Sequence, residues 1–164
     1  MPTTVSNPRD LYLVQLCDIL YVERQLAFDV LPTLLQEVRE PELAGALADH
    51  LTQTKEHAAR LEDVFRLVGA EPSPVRSAPF AGLKDQHALQ ASTIVGEALA
   101  DAWHAAAAAH TEHYEIASYE ALVALADALE IAEAVDLLRA NLDDERAALT
   151  LAQEAYARLV TAAP

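Results

Sequence analysis

The stretch that best predicts the fold of this chain is AAAAAHTEHYEIASYEALVAL, residues 105–125. Spacings of three and four residues place one set of its side chains on a single helix face, namely Ala108, Glu112, Glu115, Tyr119 and Leu122. The stretch lies inside a segment, residues 80–163, that contains no proline. A segment of that length without proline can hold two long helices.

Helix signals extend from this stretch to the rest of the chain. Apolar residues recur at helical spacing in four long segments, which we assign to helices over about 8–38, 41–69, 97–128 and 131–160. A shorter helix is expected at 81–94, inside a long connection over 70–96. The predicted fold is therefore all-α, a ferritin-like antiparallel four-helix bundle with a long crossover between its second and third helices. We expect one domain, residues 1–164, with its core at about 8–160.

Local residues support most of these boundaries. Asn7 followed by Pro8 is typical of a helix start, and Glu40-Pro41-Glu42 restarts the chain in the same way. Gly69 is expected to end the second helix, and Pro32 is expected to kink the first one near its end. The turn near residue 129 carries neither glycine nor proline, so the sequence marks it weakly.

Charge narrows the classes of function. The chain has 11 basic and 26 acidic residues and a net charge of −15, so it repels the phosphates of nucleic acids and of anionic membranes. It would attract multivalent cations, although such a charge can equally serve only to keep the protein dissolved. One cysteine, Cys17, excludes an intramolecular disulfide, and without a signal-peptide pattern we expect a cytoplasmic location.

Several polar residues interrupt the apolar helix faces. They are Glu23 on the first helix, His50, Thr54 and His57 on the second, Glu112 and Glu115 on the third, and Glu145 on the fourth. Glu23 and His57 are equally distant from a turn at residue 40, and Glu112 and Glu145 are nearly so from a turn at 129. At about 1.5 Å rise per residue these groups lie at one depth, roughly 21–26 Å from the turns.

Two interpretations of this polar layer remain open. Carboxylates with some imidazole suit iron, manganese or zinc, and Glu23, His57, Glu112, Glu115 and Glu145 would then hold one or two ions. Alternatively, the carboxylates are solvated or neutralised by arginines, for which the candidates are Arg24, Arg60, Arg139 and Arg146. The acidic run 143–145 could also be a solvated surface. His104, His110 and His113 are interpreted as surface or dimer-interface residues.

Four segments resemble the YciE/YciF-like family of bacterial proteins. They are LCDILYVERQL (16–26), HLTQTKEHAARLEDVF (50–65), EHYEIASYEAL (112–122) and LDDERA (142–147). The spacing of Asp18, Glu23 and Gln25 adds to the resemblance, which covers residues 8–160. It implies a ferritin-like fold, a homodimer, an association with stress responses and a di-metal site whose ligands correspond to the five residues named above.

The sequence departs from the family pattern at two positions. Gln53 stands where the family often has glutamate, and Leu149 stands where it often has an acid. Two functions are therefore carried forward. One is a metal-binding protein with ferroxidase or peroxide-detoxifying activity, and the other is a non-enzymatic dimeric stress or interaction protein with a degenerate site.

Overall fold

The computed structural model describes residues 4–162, and they form an all-α structure, as predicted. The helices are α1 (Pro8–Gln25), α2 (Leu31–Glu37), α3 (Pro41–Leu67), α4 (Ala78–Ala91), α5 (Glu97–Ala128) and α6 (Ala132–Ala162). A π-helical turn, Leu26–Val30, joins α1 to α2. The predicted domain bounds also include residues 1–3 and 163–164, which lie outside the described residues.

Contacts between helix ends establish the direction of each helix. At one end of the bundle the Arg9 guanidinium donates to the Val68 carbonyl at 2.6 Å. At the other end Arg158 pairs with Glu40 at 3.0 Å, and the Glu40 amide donates to Asp101 at 2.8 Å. Helices α1 and α6 therefore run one way and α3 and α5 the other. The long connection through α4 is needed because α3 and α5 are parallel.

The core is formed by the inward faces of α1, α3, α5 and α6. Tyr12, Leu16, Leu61, Leu122 and Leu138 are fully buried, which is the outcome expected of apolar side chains that recur at helical spacing. This apolar layer gives way along the bundle to a buried polar layer. The polar layer contains the residues that the sequence singled out.

The helix starts agree with their sequence signals. The Asn7 side chain accepts from the amide of Asp10 at 2.9 Å, and the Glu40 side chain accepts from the amide of Leu43 at 2.6 Å. Each bond satisfies one of the amides that a helix start leaves without an intrahelical partner.

Two predicted helices near prolines need correction, and the first of them, expected over 8–38, is divided into α1, the π-helical turn and α2. The structure places the π-helical turn Leu26–Val30 directly before Pro32, and a wider turn relieves the clash that proline makes with the preceding helical turn. The short helix was expected at 81–94 but runs from Ala78 to Ala91. Pro79 does not mark a loop here, because proline is tolerated in the first turn of a helix.

The two tight helix ends are closed by the same backbone bonds. The Ala70 amide donates to Phe65 O and the Ile131 amide to Ala126 O, each at 3.0 Å. Gly69 supplies the positive φ, 63°, at the first end, but Glu130 adopts 57° at the second. A glutamate in that conformation gives no sequence signal, which explains why the boundary near 129 was weakly marked. None of the helices in the described part of the chain combines the length and apolar character that a membrane span requires.

Candidate metal centre

The structure brings all five predicted site residues together in the buried polar layer, and His50 joins them. The six side chains form two overlapping groups, in each of which one ligand atom per residue lies within 4.8 Å of the others. The first group, here the Glu23 position, consists of Glu23, His57 and Glu145. The second, the Glu112 position, consists of His50, Glu112, Glu115 and Glu145.

The Glu23 position is built around one imidazole nitrogen. Nδ1 of His57 lies 2.8 Å from Oε1 of Glu145 and 3.4 Å from Oε1 of Glu23. All three side chains are fully buried. Helices α1, α3 and α6 each supply one of these residues.

The Glu112 position lies on the other side of Glu145. Nε2 of His50 is 3.3 Å from Oε1 of Glu112 and 3.9 Å from Oε2 of Glu145. Glu115 is one helical turn beyond Glu112 on α5 and is fully buried. This position therefore combines one nitrogen donor with three carboxylates.

Glu145 belongs to both positions, with a different oxygen turned to each. Oε1 faces His57 and Oε2 faces His50. A carboxylate with one oxygen toward each of two neighbouring donor groups can serve two cations at once. The geometry therefore fits a pair of adjacent ions better than a single one.

Outer hydrogen bonds hold the Glu23 position in place. Nε2 of His57 lies 3.2 Å from Oδ2 of Asp144, so an imidazole proton on that nitrogen leaves Nδ1 free for a cation. Arg60 donates to Asp144 and to Asn141, each at 3.0 Å. Metal-binding histidines usually donate their second nitrogen to a carboxylate in this manner.

The same network reaches Glu23 by a second route. The Tyr119 hydroxyl donates to Oε1 of Glu23 in a short hydrogen bond. The Asn141 amide in turn donates to the Tyr119 oxygen at 2.9 Å. Two of the three ligands of the Glu23 position, Glu23 and His57, are thus held by side chains that are not themselves candidate ligands.

Many polar atoms of the centre have no hydrogen-bond partner within the described residues. They are Oε2 of Glu23, both ring nitrogens of His50, Nδ1 of His57, Oε2 of Glu112, and both carboxylate oxygens of Glu115 and Glu145. A buried carboxylate without a partner is costly, whereas a bound cation satisfies it. Two divalent cations would neutralise the four carboxylates, so the residues present fit a two-metal site.

Arginines do not neutralise the centre in the part of the chain that the structure describes. Arg24 pairs with Glu62 at 2.8 Å, and Arg146 pairs with Glu120 at 2.8 Å, both on the surface. Arg60 pairs with Asp144 and with Glu56. The interpretation of the polar layer as arginine-neutralised is therefore not supported.

The surroundings shift the protonation of the centre strongly. Burial raises the pKa of Glu23 to about 7. Burial and then the charge of Glu145 raise the pKa of both Glu112 and Glu115 well above the usual range. Burial opposes the charged form of His57, but the neighbouring carboxylates of Glu145 and Glu23 prevail and raise its pKa to about 10. Without a cation, these groups hold protons that a metal would have to displace.

Sequence reasoning placed His50 on the inward face but left it out of the ligand set. His50 and His57 are seven residues apart on α3, which is close to two helical turns, and that spacing was the available signal. Gln53 stands where the family often has a glutamate on this helix. In the structure α3 supplies His50 as a donor to the Glu112 position. Nothing in the spacing identified Asp144, which the acidic run 143–145 made look solvated.

The surface assignment of His104 was wrong, whereas His110 and His113 are exposed as expected. His104 is 5% exposed, and its Nδ1 is hydrogen-bonded to Nε2 of His87 at 2.9 Å. Helix α4 covers this part of α5, and the sequence of α5 alone does not reveal that cover.

Residues 7–163 match the model of a protein family described as "Domain of unknown function (DUF892)". Among characterised sequences, Protein YciF of Escherichia coli (strain K12) is 29% identical over 139 residues, which cover 84% of this chain and 83% of YciF.

Solved structures agree with this assignment. YcfI of Rhodopseudomonas palustris is 33% identical with a TM-score of 0.89, and the match covers 93% of this chain and 97% of that one. The E. coli stress protein YciF is 26% identical with a TM-score of 0.89, covering 96% and 99%. A protein of Xanthomonas campestris pv. campestris, 20% identical with a TM-score of 0.73 over 94% and 95%, shares the fold. The chain therefore belongs to the DUF892 family, whose members are YciF-like proteins.

Proposed function

We propose that this chain is a stress-associated metal-binding protein whose centre holds two divalent cations, iron or manganese, that share Glu145. The observation that carries the proposal is the group of four buried carboxylates and two buried histidines that four helices bring together, with many of their polar atoms lacking a hydrogen-bond partner within residues 4–162. Glu23 and His57 would bind one cation, and His50, Glu112 and Glu115 would bind the other.

The chemistry of such a centre would come from the ions. Bound ferrous iron would supply electrons to dioxygen or peroxide, which is the basis for a ferroxidase or peroxide-detoxifying activity. The protein's own contribution is to exclude water, to hold His57 in one orientation through Asp144, and to give up protons from Glu112, Glu115 and His57 when a cation enters. Zinc fits the same donors but would supply no electrons.

Elemental analysis of protein purified without a chelator tests the proposal directly. We expect close to two equivalents of iron, manganese or zinc per chain. We also expect metal-free protein to melt at a higher temperature when Mn²⁺ is added, because a ligand that binds only the native state stabilises it by about 2.7 kcal/mol at 100 times its Kd. Metal-free protein whose melting temperature ignores Fe²⁺, Mn²⁺ and Zn²⁺ would contradict the proposal.

A second function, a non-enzymatic dimeric interaction protein, draws support from the surface. Several large apolar side chains are exposed, among them Phe28, Leu89, Leu151 and Val160. A homodimer could cover some of them, and the E. coli relative is described as a stress protein. Sedimentation analysis tests the dimer, and the metal titration above separates the two functions. We place either function in the cytoplasm.

A further inference from the structure

We propose that an apolar cavity beneath α4 admits a small uncharged molecule of the size of dioxygen to the Glu112 position. The proposal rests on the function proposed above, because it names the kind of co-substrate that the centre would take. It concerns a different part of the molecule, however, and can be tested without any metal.

The cavity lies between α4, α5 and the segment that contains the π-helical turn and α2. Its wall is mostly apolar and includes Leu26, Leu31, Leu34, Phe80, Leu83 and Ala107. Phe80, Leu83 and His87 follow one another at helical spacing, so α4 turns one face toward the cavity. The crossover helix thus acts as the outer wall of this space.

The inner end of the cavity reaches the candidate metal centre. His50 and Glu112 are both part of its wall. The volume is about 50 Å³, whereas one water-sized molecule needs roughly 10–15 Å³ by the same measure. The space therefore fits a diatomic molecule or a few waters and is too small for an organic substrate of ordinary size.

A second opening to the same two residues is better suited to cations. It lies between α3, α5 and α6, has a volume of about 180 Å³, and includes Asp49 and Gln53 in its wall together with His50 and Glu112. The apolar cavity instead has Lys84 in its wall, paired with Asp29. Asp49 is exposed and attracts cations, whereas the charge of Lys84 is balanced by Asp29. We therefore expect cations to use the second opening and uncharged molecules to use the apolar cavity.

Xenon is a suitable probe, because it binds in dry apolar cavities and carries no charge. In crystals of the metal-free protein pressurised with xenon, we expect one xenon atom beside Leu31, Ala107 and Glu112. Ala107→Leu should remove it by filling the cavity. Ala124→Leu, an exposed alanine on the same helix, is the matched control and should leave the xenon in place.

Isothermal titration with Mn²⁺ separates this proposal from the function on which it rests. We expect Ala107→Leu to change the Mn²⁺ affinity less than two-fold. Absence of xenon from the wild-type cavity overturns the proposal, and so does a large loss of Mn²⁺ affinity in Ala107→Leu. A wild-type protein that takes up xenon but no Mn²⁺ overturns the metal-binding function and leaves the cavity assignment standing.

Discussion

The two halves of the candidate centre are built from the same residue types but are supported differently. At the Glu23 position, two of the three ligands, Glu23 and His57, are held by outer hydrogen bonds that involve Tyr119, Asn141, Asp144 and Arg60. Glu115, at the Glu112 position, has both oxygens without a partner within residues 4–162. The first half is organised before a cation arrives, whereas the second depends on the cation for its order.

This difference predicts that the two positions differ in metal affinity and in access from outside. An arrangement fixed in advance binds its ion with little reorganisation, so we expect the tighter binding at the Glu23 position. The Glu112 position lies where both openings reach the centre. Exchange of ions and access of a co-substrate are therefore expected there.

The largest expected effect comes from Glu145, because it belongs to both halves. Glu145→Gln should lower the Mn²⁺ affinity of both positions. The loss should exceed the roughly 10–100-fold that is typical when a residue that supports a metal ligand is lost. Isothermal titration measures the change, with Asp143→Asn, an exposed neighbour, as the control. Retention of one full equivalent of Mn²⁺ would show that the two positions do not share this residue.

Separate substitutions should divide the centre. Glu112→Gln is expected to reduce binding from two equivalents to one and to leave the tighter equivalent, whereas Glu23→Gln should remove the tighter one. Each glutamine keeps the shape of the side chain but loses the charge that a cation needs. Elemental analysis and titration of both variants measure the number of bound Mn²⁺ equivalents and their affinities. If the two variants lose the same equivalent, the two positions are not independent.

Metal removal should expose a pH dependence. Since burial raises the folded-state pKa of Glu112 and Glu115, and that of Glu23 to about 7, these groups bind more protons when folded than when unfolded. The stability that this extra proton binding contributes is fully present below the unfolded-state pKa of about 4.3. It is lost as the pH rises through the folded-state pKa values of these groups. The melting temperature of metal-free protein should therefore fall from pH 5 to pH 8.

The double variant Glu112→Gln/Glu115→Gln provides the control for that slope. It lacks two of the raised groups, so its melting temperature should depend less steeply on pH. Saturating Mn²⁺ should flatten the wild-type slope as well, because the bound cation replaces the protons. Parallel slopes in the wild type and the double variant would show that other groups govern the dependence.

The fold was predictable because its signals are local. Asn7, Glu40 and Gly69 mark helix ends by their own chemistry, and the distances of Glu23 and His57 from the turn at residue 40 depend only on helical rise. Four helices and their common polar layer follow from those two facts. The turn at Glu130 was weakly marked because a glutamate, unlike a glycine, gives no sign of the positive φ that it adopts there.

The parts of the centre that the sequence did not reveal depend on contacts between distant segments. Asp144 looks like a surface residue until α6 packs against α3 and brings it to His57. His104 looks exposed until α4 docks on α5. The spacing of His50 and His57 was visible, but the donors opposite each histidine were not.

Loss of Asp144 should affect one half only. Asp144→Asn keeps the size of the side chain but weakens the acceptor for His57 Nε2, so His57 is less well oriented and less basic. We expect a 10–100-fold loss of affinity at the Glu23 position, as is typical for outer partners of metal-binding histidines. The Glu112 position should bind Mn²⁺ as before, and a two-site fit of the titration distinguishes the two.

The smallest effect is expected from Arg60, which acts one step further from the ion. Its guanidinium joins Asp144 and Asn141, and so links the route to His57 with the route to Glu23. Nη1 of Arg60 donates to both acceptors while Nη2 pairs with Glu56. Lysine has one nitrogen and no planar guanidinium, so Arg60→Lys should weaken the Glu23 position by less than about 10-fold. Arg24→Lys is the matched control, because Arg24 adjoins Glu23 in sequence but pairs with Glu62 on the surface. Equal effects of the two substitutions on Mn²⁺ binding would mean that the hydrogen-bonded link through Arg60 does not support the Glu23 position.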